Sequence, residues 1–96
     1  MTAFVLQQFR VADYATFKHV YLDDLERRRR LGSRGGRVFH AVGDEHEISV
    51  LIEYDSAANA HQFAGSIELQ EAVKWATGDV VPLKTVVLEE LFQSEA

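Results

Sequence analysis

The chain switches repeatedly between strand-like and helix-like spacing of its apolar residues. Ala3 to Phe9 (AFVLQQF) is short, apolar and β-prone, which predicts a first strand. Asp13 then offers a helix N-cap, and Tyr14, Phe17, Tyr21 and Leu25 recur at helical spacing as one apolar stripe. This helix is predicted to run into Arg27–Arg30 and to stop at Gly32, placed as a C′ glycine. Gly35-Gly36 open a second strand, Arg37 to Val42, and Gly43-Asp44-Glu45-His46 supply turn chemistry. A third strand, Glu47 to Tyr54, puts Ile48, Val50, Ile52 and Tyr54 on one face. Leu51 falls on the other, between Ser49 and Glu53.

Ser56 is the next cap, before a short helix with Ala57, Ala60, Phe63 and Ala64 turned inward. Gly65-Ser66 interrupts it. Leu69, Ala72, Val73 and Ala76 then form a second helical stripe, ended by Gly78. Pro82 precedes a last strand, Leu83 to Phe92, carrying Val86, Val87, Leu88 and Leu91. The order βαββαβ predicts an α+β, ferredoxin-like single domain over residues 1–96. Its four-stranded antiparallel sheet has the helices on one face. Leu51 then needs cover on the other face, and a second copy packed sheet to sheet would supply it, closing a dimeric α+β barrel.

Size and charge narrow the functional classes. A chain of 96 residues buries roughly 60–65% of its unfolded surface, so the core is thin. The net charge of −5 argues against nucleic acid as a partner. The absence of cysteine excludes disulfides and thiolate chemistry. The first residues carry no basic leader and too short an apolar run for a membrane segment, so no membrane association and a cytoplasmic location are expected. The basic residues are uneven, however, with Arg27, Arg28, Arg29, Arg30, Arg34 and Arg37 in one short stretch.

Among these, Arg28 falls within about 40° of the centre of the Tyr14/Phe17/Tyr21/Leu25 stripe at 100° per residue. There it could hold a carboxylate, phenolate or oxyanion in a pocket, or it could snorkel at a helix end where positive charge is favoured. The other arginines read as solvated surface. His40 shares a face with Val38 and Val42; it could accept a phenolic or enolic proton, or serve as a structural histidine. Trp75 sits at the flank of its helical stripe, and Tyr14, Phe17, Tyr21 and Phe63 could line the same cavity or simply pack the core. His46 and His61 lack the close spacing of a two-histidine metal motif, so no metal is expected. Gly32-Ser33-Arg34-Gly35-Gly36 leads from helix into strand, the reverse of a phosphate loop. The chain has no nucleophile elbow and no dinucleotide fingerprint.

Val11-Ala12-Asp13-Tyr14 with Phe17, Arg28 before Gly32, Gly35-Gly36-Arg37-Val38-Phe39, Val50-Leu51-Ile52-Glu53-Tyr54-Asp55, and Ala60, Phe63-Ala64 and Ser66-Ile67-Glu68-Leu69 together carry a resemblance over nearly the whole chain. They resemble the antibiotic biosynthesis monooxygenase-like family of the dimeric α+β barrel superfamily. The resemblance implies a homodimer with a pocket between sheet and helices in each subunit. It also implies a cofactor-independent oxygenase acting on a small aromatic or polyketide-like substrate, without metal or flavin. On that reading His40 takes a proton and Arg28 stabilises the anion. The alternatives are a non-catalytic small-ligand-binding or scaffolding homodimer, or a cyclase or isomerase on the same scaffold. Haem-degrading relatives use a histidine, a tryptophan and an asparagine. Here Gln7 and Gln8 stand where asparagine would, and His61 precedes Trp75 in the reverse of their order.

Overall fold

The computed structural model describes residues 2–66 and 84–96. In chain order its elements are β1 (Ala3–Arg10), α1 (Tyr14–Asp23), α2 (Leu25–Arg30), β2 (Ser33–Ala41), β3 (Asp44–Tyr54), α3 (Ala57–Ala64) and β4 (Lys84–Glu89). The strands form one antiparallel sheet in the order β2-β3-β1-β4, the ferredoxin-like arrangement. Trp75, the predicted helical stripe of residues 69–76 and Pro82 lie outside the described residues.

Period-two alternation makes the sheet two-faced. On β1, Ala3, Val5, Gln7 and Phe9 turn toward the helices and are buried, as are Ile48, Val50, Ile52 and Tyr54 on β3. Register locks the two sets together: Val5 stands opposite Ile52 and Phe9 opposite Ile48. Phe17 from α1, and Ala60 and Phe63 from α3, close this core. Phe17 tilts against Phe9 with ring centres 5.4 Å apart, and Phe63 against Tyr54 at 5.5 Å. The opposite face carries Phe4, Leu6, Phe39, Leu51, Val86 and Leu88, with Phe39 48% exposed. Leu51 and its half-buried neighbours are thus on the helix-free side, where the strand pattern put them.

Four local differences from the sequence reading have physical causes. The first helix is broken at Asp24, whose carboxylate is gripped by the Arg27 fork (Nε 2.7 Å, Nη2 2.6 Å), giving two helices in place of one. The β2–β3 turn is Val42-Gly43 alone, with Gly43 at φ +91, so Asp44, Glu45 and His46 belong to β3 and Val42 points into solvent rather than beside His40. At the other end β2 begins at Ser33, with a bulge between Ser33 and Gly35. Finally, β4 ends at Glu89, leaving Leu91 and Phe92 exposed beyond it. The expected caps are in place: Asp13 accepts from the Ala15 amide at 3.2 Å, and Ser56 from the Asn59 amide at 3.1 Å. Gly32, at φ +96, follows the end of α2 in the left-handed conformation that glycine favours.

Candidate functional site

The inward tilt of the helical stripe carries Arg28 into the protein: only 3% of it remains exposed. Nη1 donates to the Tyr21 carbonyl at 2.9 Å, and the guanidinium lies over the Tyr21 ring, 3.9 Å from its centre. Asp24 is 3.8 Å away but is shared with Arg27, which binds it more closely. Among the described residues, the buried Nη2 of Arg28 and the buried hydroxyl of Tyr54 have no hydrogen-bond partner. Burial holds the Tyr54 phenol well above its ordinary pKa, against the opposing pull of Arg28, so it stays protonated. The Tyr21 ring owes its place to Gly36: a Cβ there would collide with the Tyr21 hydroxyl.

Beside Arg28, a cavity of about 160 Å³ opens between the end of α2 and the start of β2, lined by Tyr21, Arg28, Arg29, Ser33, Arg34 and Gly36. The arginine run is therefore not uniformly a solvated face. Arg28 is interior, Arg27 lies over the Phe63 ring at 5.2 Å, and Arg29 and Arg34 border the cavity.

At the far end of β2, a cleft of about 530 Å³ lies between the start of α1 and the β2–β3 hairpin. Tyr14, Val38, His40, Glu45, His46 and Ile48 line it. The His40 Nδ1 is 2.9 Å from the Ala41 carbonyl and the His46 Nδ1 is 3.0 Å from the Val11 carbonyl. A carbonyl oxygen only accepts, so Nδ1–H is the donor in each ring, and in the neutral form the lone pair lies on Nε2. The cleft thus presents two imidazoles whose Nε2 atoms are the acceptors in the neutral form, that of His46 lying 4.0 Å from Glu45 Oε1.

The predicted site residues are in this way divided among three places. Tyr14, 51% exposed, belongs to the cleft with His40. Tyr21 belongs to the cavity with Arg28. Phe17 and Phe63 are buried core. Gly36 and His40 are four residues apart on β2, about 13 Å at roughly 3.3 Å per residue, and the two cavities share no lining residue. The sequence reading weighed His46 only as a metal ligand because it placed the hairpin turn too late. With Val42-Gly43 as the turn, His46 falls on the same side of β3 as Ile48, which pairs with His40. Among the described residues, no group of three or more histidine, aspartate or glutamate side chains could hold a metal ion.

No family model matches the chain, and no curated protein matches it. Solved structures do. A Bordetella bronchiseptica protein named a candidate antibiotic biosynthesis monooxygenase superimposes with a TM-score of 0.72 at 14% identity, over 95% of this chain and 98% of its own. A Mycobacterium tuberculosis protein gives 0.69 at 15% identity, over 99% and 100%. A Caulobacter crescentus protein, also named a candidate antibiotic biosynthesis monooxygenase, gives 0.63 at 21% identity, over 90% and 84%. This chain is thus an α+β protein of the ferredoxin-like class. In particular, it has the fold of structures named antibiotic biosynthesis monooxygenases, the fold its sequence resemblance implied.

Proposed function

We propose that this protein is a cofactor-independent monooxygenase-like enzyme that binds a small aromatic or polyketide-like substrate in the His40 cleft. The observation that carries the reading is the 2.9 Å contact of His40 Nδ1 with the Ala41 carbonyl: in the neutral ring it leaves Nε2 as the basic nitrogen in a cleft walled by Tyr14, Val38 and Ile48. The names of the structures sharing the fold support the same reaction class. In it, Nε2 removes the acidic proton of a phenol or of an activated ring methylene. The electron-rich anion then reacts with dioxygen, one oxygen atom remaining as a carbonyl and the other leaving as water with the proton taken by His40 and the hydrogen still on the oxidised carbon. The proton taken by His40 leaves an imidazolium beside the new anion, so the countercharge is generated inside the cleft. Arg28, expected to stabilise that anion, lines a separate cavity and is assigned no part in this step.

The test is oxygen consumption with hydroquinone and anthrone-type substrates. His40→Ala should lower kcat by about 10²–10⁴-fold, while Arg28→Lys should leave it within a few-fold. Equal activity in wild type and His40→Ala would refute the assignment. The division of the polar groups between two cavities favours a second reading, a non-catalytic small-ligand-binding homodimer; it predicts saturable binding of aromatic ligands in the cleft with no oxygen uptake.

The homodimer belongs to this proposal. Phe4, Leu6, Phe39, Leu51, Val86 and Leu88 make one apolar band on the helix-free face, bordered by Arg37, Glu53 and Lys84. A band of this kind is suited to packing against its own copy about a two-fold axis.

A further inference from the structure

We propose that the cavity between the end of α2 and the start of β2 is a binding site for a small oxyanion, the carboxylate or phosphoryl group of a ligand. This site is separate from the His40 cleft and does not depend on the oxygenase reading.

Three observations converge. First, Arg28 is buried at the cavity wall with a hydrogen-bonding nitrogen, Nη2, that has no partner among the described residues. A buried guanidinium with an unused donor is costly to maintain, and because Nη2 itself is covered, an anion in the adjoining cavity would supply the missing acceptor once the Arg28 fork turns toward it. Second, the charge around the cavity is unbalanced. No carboxylate lines it, Arg28 and Arg29 are joined there by Arg34, and Arg34 has no ion-pair partner among the described residues. Asp24 lies 3.8 Å from Arg28, but its oxygens are engaged by Arg27; Glu26 is taken by Arg29 at 2.6 Å. Third, the size and the remaining polar groups fit. A space of about 160 Å³ suits one oxyanion group with a few waters, and the Ser33 hydroxyl, which accepts from the Gly35 amide at 3.3 Å, can donate its own proton to an anion. The arginine forks, rather than backbone amides at a helix start, would provide the recognition, which is why a helix-to-strand glycine loop can still take an anion.

The experiment is titration of the full-length protein with inorganic phosphate and, separately, with acetate, following amide and arginine side-chain NMR shifts at constant ionic strength held with sodium chloride. Saturable shifts at Ser33, Gly35, Gly36 and the Arg28 side chain are expected, with a Kd of about 10 mM or tighter. Arg34→Ala, on an exposed strand position, should weaken binding about tenfold, in line with one lost charge-assisted hydrogen bond. Arg28→Lys, which keeps the charge but loses the fork, should weaken it as well. Tighter phosphate binding identifies phosphoryl ligands; tighter acetate binding identifies carboxylates. Linear, non-saturating shifts with both anions, or an affinity unchanged in Arg34→Ala, would overturn the proposal.

Discussion

Gly36→Ala isolates the contact that seats Tyr21 beneath Arg28. The new Cβ would collide with the Tyr21 hydroxyl, while Leu51 O at 3.3 Å and Ile52 Cγ1 at 3.5 Å leave it room of an ordinary or slightly tight kind. Gly36 has no positive φ, so alanine is not strained by the backbone there. Two effects oppose each other. Loss of glycine's freedom in the unfolded chain stabilises the variant by about 0.4–1 kcal/mol. Displacing the Tyr21 ring costs about 1–3 kcal/mol of overpacking, and it loosens the Arg28 cation–π contact, itself worth about 1–2 kcal/mol when desolvated. The balance is a net loss of about 1–2 kcal/mol. Because the colliding atom is the phenolic oxygen, Tyr21→Phe removes it, and in that background Gly36→Ala should become neutral or slightly stabilising. Urea unfolding of the four proteins at one fixed protein concentration measures the cycle as shifts in midpoint at constant m. A coupling energy near zero, with Gly36→Ala equally costly in both backgrounds, would refute the reasoning and move the cost to the Leu51 carbonyl.

Phe63→Ala removes a ring that is 1% exposed and packs on Tyr54 and under Arg27; it should cost about 3–5 kcal/mol in the same unfolding assay, a large part of a small domain's stability. Leu51→Lys places a charge on the helix-free face and, on the proposed homodimer, should shift the protein from dimer to monomer in sedimentation equilibrium at micromolar concentration, with its circular dichroism unchanged; a wild type that is already monomeric there would refute the dimer. The Asp13 carboxyl, accepting from the Thr16 hydroxyl and the Ala15 amide, and the Asp44 carboxyl, beside Arg10, are both held below their ordinary 3.8. Lower folded than unfolded pKa values mean that their stabilisation is complete above about pH 4 and is lost as the pH falls through the folded values. The Asp13→Asn, Asp44→Asn double variant should therefore lose less stability than wild type when melted between about pH 5 and about pH 2.

Period was legible in the sequence; distance along an element was not. Alternation alone placed Ile48, Val50, Ile52 and Tyr54 in the core and Leu51 outside it, because each strand residue has only two faces to choose between. Helical spacing likewise put Arg28 on the buried side, 3% exposed, among residues that share its stripe. The same stripe misplaced Tyr14 and Leu25, both exposed, since the helix axis breaks at Asp24 and the first turn of α1 lies at the mouth of the cleft instead of over the sheet. On sequence alone Arg28 and His40 join in one mechanism because each turns toward the layer between sheet and helices, yet sharing that layer says nothing of the roughly 13 Å along β2 that separate His40 from Gly36 at the Arg28 cavity. His46 was hidden by a turn placed two residues late, an error that moves a residue from loop to strand and so gives it a face.

That separation decides which chemistry each end of the sheet can support. Among the described residues the cleft and the Arg28 cavity share no lining residue, and Phe17 and Val50 are buried in the core of the helix-facing layer. An anion formed in the cleft must be stabilised by groups already there, and the described lining offers imidazole nitrogens and no arginine or lysine. Proton transfer to His40 meets this requirement by itself, since the acceptor becomes the cation as the substrate becomes the anion. The arginine end has the converse character: fixed positive charge, a buried unused donor and no base. It suits an anion that arrives already charged. A ligand that titrates into one cavity should therefore leave the NMR shifts of the other unmoved. Simultaneous shifts at His40 and Arg28 on binding a single small phenol would show that the two ends act on one site after all.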